Sequence, residues 1–240
     1  MSESRPGPVV LITGAAGGLG RGLVAAFAEA GWRVAAGYHV RAPEAVGERV
    51  RPVALDVTRP GDPERAVGAA LEWWGRLDAL IHNAGVTADA LLAQQTEADW
   101  DRVVAVNLTG AMRCARAAAG ALGAAGGGHI VNIGSYAGRA GGPGQAAYAA
   151  AKAGLIGLTA ALAAELAGLN VRVNVVLPGV LPTPMTARLS AAAQARLVAA
   201  NRLGRLNAVE EVARFVVFLC GLQNVSGQVF QLDSRPARWG

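Results

Sequence analysis

Three side chains in this 240-residue chain have the types and spacing to pass a proton to or from a carbonyl oxygen. Tyr148 and Lys152 stand four residues apart in AAYAAAKAG, which places them on one face of a helix. Ser135 ends the apolar segment HIVNIGS that precedes it. An ammonium about 5 Å from a phenolate favours it by roughly 3 kcal/mol at an effective dielectric of about 20. That would bring the tyrosine from its ordinary value near ~10 to roughly 7–8, an acid able to protonate a ketone oxygen at neutral pH. Composition singles out the lysine as well. Of 22 basic residues, 21 are arginine and Lys152 is the one lysine. Arginine replaces lysine at many exposed sites, but not where a compact ammonium must fit.

A second group of residues fits a phosphate. The turn TGAAGGLG carries Gly14, Gly18 and Gly20 between an apolar run and a helical pattern. Glycines there let the backbone approach a pyrophosphate, and the free N–H groups of the following helix face the anion. An acid at the end of the next strand would bind a ribose 2′-hydroxyl and repel a 2′-phosphate. The stretch there is Gly37, Tyr38, His39, Val40, Arg41, with no acid. This favours NADP(H) over NAD(H), with His39 or Arg41 as phosphate partner or as a plain solvated loop residue. Asp56 can hydrogen-bond an adenine amino group, and Asn83-Ala84-Gly85 would line the cofactor with backbone.

The elements that must position these residues alternate. Strands are predicted at 8–14, 32–38, 51–58, 77–85, 129–135, 170–179 and 226–234. Helices are predicted at 15–31, 64–75, about 97–122, about 146–168, and around 187–200 and 209–221, with Gly31 capping the first and Trp73 and Trp74 packing at the end of the second. Such alternation gives a single Rossmann-like, doubly wound α/β domain, a seven-stranded parallel sheet with helices on both faces. Ligands then bind beyond the carboxyl ends of the strands, where the residues above fall.

Composition closes off other classes. Apolar residues make up 52% and charged residues 16%, which excludes intrinsic disorder. Cys114 and Cys220 form no CxxC pattern, against a disulfide scaffold or structural zinc, and no metal site is expected. The run 117–138 is uncharged but is broken by GGG and carries His129, Asn132 and Ser135, so it is not a lipid-facing helix. With no secretory signal in MSESRPGP, a cytoplasmic protein without membrane contact is expected. The net charge of +5 is spread along the chain, densest at Arg49/Arg51 and Arg235/Arg238, without the aromatic-studded patch a nucleic-acid partner requires. Met112, Cys114 and Cys220 read as core, His129 and His39 as satisfied groups, and Tyr136 has no lysine at helical spacing. Met185 lies in a predicted lid, 182–205, touching substrate or simply packing.

TGAAGGLG, HNAG, VNLTG, the spacing from Ser135 to Tyr148 and Lys152, and LPGVLPT together resemble the short-chain dehydrogenase/reductase family over nearly the whole chain. The resemblance implies that Tyr148 is the general acid, that Ser135 orients the carbonyl, and that Lys152 binds the nicotinamide ribose and depresses the tyrosine pKa. Asn107 would hold a proton-relay water, and Thr183 would bind the nicotinamide carboxamide. Ala16, Gly17, Leu19, Val57, Pro178, Gly179 and Leu181 join the residues named above as the implied cofactor contacts. NAGVTADALL, AAKAGLIGLT, LGRLNAVEEVARFVVFL and SGQVF look most like bacterial 3-oxoacyl-(acyl-carrier-protein) reductases. That implies a small-molecule or thioester-carried ketone, with acyl carrier protein as a partner, and a homotetramer or homodimer packed through the alanine-rich face of 146–168. An NAD(P)-dependent secondary-alcohol, sugar or polyol dehydrogenase is the alternative. A non-catalytic dinucleotide sensor would be expected to lack the tyrosine or the lysine. Four departures stand out: Gly17 in place of a common arginine, His82 in place of the first Asn of Asn-Asn-Ala-Gly, the ending QLDSRPARWG, and Gly126 and Leu169 where carrier-docking arginines sit. Arg172 is a possible substitute for the latter, or a solvated strand-edge residue.

Overall fold

Runs of valine, leucine and isoleucine with no polar alternation are what a strand covered on both faces requires. The computed structural model describes residues 7–43, 48–183, 186 and 190–236, and in it these runs become one seven-stranded sheet. The strands are β1 (Val9–Ile12), β2 (Arg33–Tyr38), β3 (Val50–Ala54), β4 (Ala79–His82), β5 (Gly128–Ile133), β6 (Val171–Leu177) and β7 (Val229–Gln231). Their order is β3-β2-β1-β4-β5-β6-β7, every neighbouring pair parallel.

Period-two geometry divides β1 between two cores. Val10 and Ile12 face Leu23 and Phe27 of α1 (Gly18–Glu29) and Val212, Val216 and Leu219 of α8 (Val209–Leu219). Val9 and Leu11 face Val67 and Ala70 of α2 (Asp62–Trp74) and Cys114, Ala118 and Leu122 of α4 (Gly110–Ala124). Phe27 is fully buried, a contribution of about 1.5–3 kcal/mol. Turn chemistry sets the helix ends. Gly31 (φ 86°) and Gly75 (φ 75°) stop α1 and α2 in the left-handed region, and the Thr96 hydroxyl accepts from Asp99 N at 3.1 Å to start α3 (Glu97–Val104).

The other helices are α5 (Ala137–Ala140), α6 (Ala146–Glu165) and α7 (Ala191–Ala199). Two expectations need adjustment. The helix predicted over about 97–122 runs unbroken through 97–124, but with a π-helical turn, Ala105–Thr109, joining α3 to α4. Met112 is 37% exposed rather than core, whereas Cys114 and Cys220 are buried and free. In the predicted lid, residues 184, 185 and 187–189, Met185 among them, lie outside the described residues. The chain runs outward from β1 to β3 and returns to β4 on the other side of β1. That reversal opens a crevice at the carboxyl ends of β1 and β4.

Candidate active site

The glycine turn lies in this crevice. Gly14 has φ +64°, and a Cβ there would come within 2.9 Å of the Ala84 Cα. A Cβ on Gly20, in the first turn of α1, would run into the Gly14 carbonyl. Helix α1 opens at Gly18, after Gly17, with no side-chain cap and no acid in its first turn, so its free N–H groups and positive dipole end suit an anion. The Arg21 guanidinium donates to the Ala16 carbonyl at 2.7 Å, and Leu19 is buried beneath the turn. Thr13, which sequence reasoning passed over, is the hub. Its hydroxyl accepts from Asn83 N at 3.0 Å and Ala84 N at 2.9 Å. Asn83 Nδ2 donates back to Thr13 O and Gly14 O at 3.2 and 3.0 Å. This backbone cradle fits the pyrophosphate of a dinucleotide.

His39, Arg41, Asp56 and Val57 lie apart from it, beyond β2 and β3. Burial pushes the Asp56 carboxyl up, but hydrogen bonds from the Thr58 hydroxyl and N–H outweigh it and hold the group below the usual carboxylate range. His39 Nε2 stands 3.4 Å from Asp56 Oδ2, and Arg41 is exposed. Val57 is buried against Gly110, where a Cβ would meet its Cγ2 at 2.7 Å.

Ser135, Tyr148, Lys152 and Asn107 converge at the carboxyl end of β5. Ser135 Oγ accepts from Ala137 N at 3.2 Å and shares a hydrogen bond with the Tyr148 side chain. Lys152 is buried, and its Nζ lies 5.6 Å from the Tyr148 ring centroid. The ammonium donates to the Ile133 carbonyl at 2.8 Å. Asn107 sits in the π turn, its Nδ2 donating to Val86 O at 2.8 Å and Val103 O at 2.9 Å. Gly85 closes the group, since a Cβ there would lie 2.8 Å from Asn107 Oδ1 and 3.6 Å from Lys152 Nζ.

The expected acidification of Tyr148 is not what these residues produce. Burial raises the phenol above its ordinary pKa, the Ser135 hydrogen bond only partly offsets that, and Asp89 adds to it. The ammonium stands 5.6 Å from the ring centroid and is engaged with the Ile133 carbonyl. Burial instead lowers Lys152 to about 8.

The loop after β6 forms the opposite wall. Asn207 Nδ2 donates to Pro178 O and Leu232 O, each at 2.9 Å. Gly179 has φ 79°, Leu181 is buried, and Thr183 N donates to Thr186 Oγ1 at 2.9 Å. The departing chain end packs here too. Arg235 stacks on Tyr136, 3.9 Å from the ring centroid, and is ion-paired to the buried Asp233 carboxylate. No local sequence signal announces this latch. At the far end of the sheet, Arg172 is buried rather than solvated. It bonds His129 Nε2 at 3.1 Å and Asn170 O and Oδ1 at 2.8 and 2.9 Å. His129 is only partly satisfied, its Nδ1 having no partner, and burial together with Arg172 lowers it to about 4. Among the described residues no group of three His, Cys, Asp or Glu side chains is placed to hold a metal.

The family model described as short chain dehydrogenase matches residues 8–194. The chain belongs to the short-chain dehydrogenase family. It is an oxidoreductase for a ketone–alcohol pair, and it is similar to 3-oxoacyl-(acyl-carrier-protein) reductases. The one from Thermotoga maritima is 40% identical over 95% of this chain and 96% of its own. That of a Synechocystis species is 36% identical over 94% and 95%, and that of Staphylococcus aureus 34% over 93% and 95%. In this short-chain dehydrogenase, Ser135, Tyr148, Lys152 and Asn107 are the side chains the fold brings together beside the glycine cradle.

Proposed function

We propose that this protein reduces a 3-oxoacyl thioester, carried on acyl carrier protein or coenzyme A, to the 3-hydroxyacyl form, with NADPH as hydride donor and Tyr148 as general acid. The observation that carries this reading is the convergence of half-buried Ser135 and Tyr148 with buried Lys152 at the carboxyl end of β5, next to Gly85. The names of the similar proteins support the substrate class.

A nicotinamide dinucleotide, when bound, supplies the hydride. The chain's own residues do the rest. The turn from Gly14 to Gly20 would hold the pyrophosphate, Asn83, Ala84 and Gly85 the middle of the molecule, and Pro178, Gly179, Leu181 and Thr183 the far end. Ser135 orients the carbonyl oxygen. Tyr148, its pKa raised by burial, is protonated at neutral pH and gives up its proton only as negative charge develops on that oxygen. Lys152, titrating at about 8, is largely an ammonium near neutral pH and stabilises the phenolate as it forms. The absence of an acid at 38–41, with Arg41 exposed, supports NADPH over NADH.

In the decisive experiment, Tyr148→Phe abolishes reduction of acetoacetyl-CoA while NADPH affinity stays within about threefold. Turnover in that variant equal to the parent refutes the reading. A second reading, an NAD(P)-dependent secondary-alcohol, sugar or polyol dehydrogenase, is favoured by one observation. Arg172 is buried and bonded to His129, and Gly126 and Leu169 bring no charge to that edge, so Arg172 is not free to meet an acidic carrier. Rates with acetoacetyl-CoA, acetoacetyl-carrier protein, cyclic ketones and sugars, each with NADPH and NADH, separate the two. We further infer a homotetramer or homodimer working in the cytoplasm. Two free cysteines suit a reducing compartment.

A further inference from the structure

Strand β7 stops at Gln231, and the residues after it turn back over the crevice instead of leaving the molecule. Asp233 packs on the loop after β6, where a Cβ on Gly179 would lie 2.8 Å from its own Cβ. Arg235 lies on Tyr136, the residue next to Ser135, with its guanidinium carbon 3.9 Å from the ring centroid. The Tyr136 hydroxyl donates to Pro236 O at 3.4 Å. Just past α7, Arg202 N donates to Ser234 O at 3.2 Å and Leu203 N to Ser234 Oγ at 3.1 Å. Residues 231–236 therefore tie the Ser135 wall to the loop that would hold the far end of the cofactor, and both to the end of α7.

The middle of this span is polar and well bonded. The Asp233 carboxylate is 2% exposed and ion-paired to Arg235, accepting from its Nε at 2.5 Å and from its backbone N at 3.2 Å. Gln231 Nε2 donates to Asp233 Oδ1 at 2.8 Å and to the Arg235 carbonyl at 2.9 Å. A planar guanidinium held at once by a carboxylate and by an aromatic face keeps one orientation. An alkyl chain laid against it finds little apolar surface to bury and takes guanidinium N–H groups out of water. A substituent of one or two carbons stops short of it.

We propose that Arg235 is a specificity-determining residue: laid on Tyr136 beside Ser135, its guanidinium gives the substrate side of the crevice a polar wall that selects short 3-oxoacyl groups over long ones. This rests on the reductase reading. The unusual ending of the chain supplies the arginine, and without it the Tyr136 ring would face the crevice bare and apolar.

The test is a series of 3-oxoacyl-CoA substrates, from acetoacetyl to 3-oxooctanoyl, reduced with NADPH. In an apolar pocket each added methylene raises kcat/KM about fourfold; in the parent, kcat/KM falls along the series. In Arg235→Leu the ratio of 3-oxooctanoyl to acetoacetyl kcat/KM rises by about tenfold or more, through KM for the thioester. The affinity for NADPH, read by its fluorescence, stays within about threefold of the parent. Arg235→Met, an unbranched apolar side chain of similar reach, behaves alike and covers a leucine variant that does not fold. Arg235→Lys, which keeps a cation for Asp233 and Tyr136, holds the parent's ratio within about threefold. A parent whose kcat/KM climbs with chain length, or a ratio unchanged in the leucine and methionine variants, overturns the proposal, as does a lysine variant that shifts as far. If Tyr148→Phe remains active the reductase reading falls. Calorimetric affinities for butyryl- and octanoyl-CoA then decide Arg235 without turnover: a gain of about tenfold for the longer chain in the leucine variant sustains it, and no gain overturns it.

Discussion

Lys152, Tyr148 and His82 share one pocket, and burial presses each toward its neutral form: the lysine down to about 8, the phenol up, the imidazole down to about 3. His129, at the other end of β5, falls to about 4. The two histidines give the fold an acid signature with a definite sign. Unfolded, each titrates near 6.5; folded, each stays neutral until the pH is far lower. Between those values the unfolded chain binds more protons, so stability falls as pH falls from about 6.5. At about 1.4 kcal/mol per pH unit for each group the loss reaches several kcal/mol before most carboxylates protonate. Asp56, held low in the fold, adds its share only below about pH 4. Urea midpoints measured from about pH 7 to 4 should therefore drop well before the carboxylate range, and His129→Gln should reduce the slope at about pH 5–6. An unaltered slope in that variant would mean that His129 is protonated, or reached by water, in the folded state. Lys152 acts in the same direction at alkaline pH. Its burial penalty is fully present below about 8 and relaxes as pH rises toward 10.5, so its contribution favours the fold with rising pH in that window.

At the scale of elements, the spacing between α5 and α6 decides whether Ser135 meets Tyr148. Gly138 is the contact. A Cβ there would lie 2.6 Å from the Lys152 carbonyl carbon and 2.7 Å from Ala153 N, backbone that cannot step aside. Gly138→Ala should push α5 and Ser135 off α6, cutting kcat about tenfold or more and stability by about 1–3 kcal/mol. Gly120→Ala, in α4 with nothing within 4 Å of the new methyl, is the control. It should hold activity and gain about 0.5–1 kcal/mol. Equal activity in both variants would show that the helix spacing tolerates a methyl group. The strands, the glycine turn and the Tyr148–Lys152 face were legible because each rests on local spacing. Asn107 was placed on a helix, but the π turn around it was not legible, since five residues of wider winding leave no mark on the apolar pattern. Thr13 as a hub, the inward turn of Arg172 and the Arg235–Tyr136 stack each join segments far apart in sequence. The acidity of Tyr148 was misjudged for a related reason. A charge separation read along one helix omits both the burial of the phenol and the Ile133 carbonyl that holds the ammonium.

Over the whole molecule, α6 is the element least accounted for by the monomer. It has 20 residues with mean hydropathy 1.4 over its most apolar window, of which 28% is buried, long and apolar enough by itself to cross a membrane. Its place in the fold argues against that use. Ala147, Ala151, Lys152, Leu155 and Thr159 are its buried face, Tyr148 bonds Ser135, and Lys152 is tied to β5, contacts a membrane-crossing helix would have to break. The exposed positions are small, Ala153, Gly157, Ala160 and Ala164 among them, and recur at helical spacing. Trp100 and Met112, on neighbouring α3 and α4, are 39% and 37% exposed. A second copy of the chain, laid helix to helix, would cover such a face with close backbone approach, and a stable contact needs about 1,200–2,000 Å² in total. Light scattering should then give a mass that is a multiple of 24.3 kDa. Ala160→Glu, a good helix former at a site open in the monomer, should lower that multiple while the single-chain fold stays intact by circular dichroism. A parent protein that runs as one chain at micromolar concentration would defeat the oligomer, and would leave the apolar face of α6 to a partner of another kind.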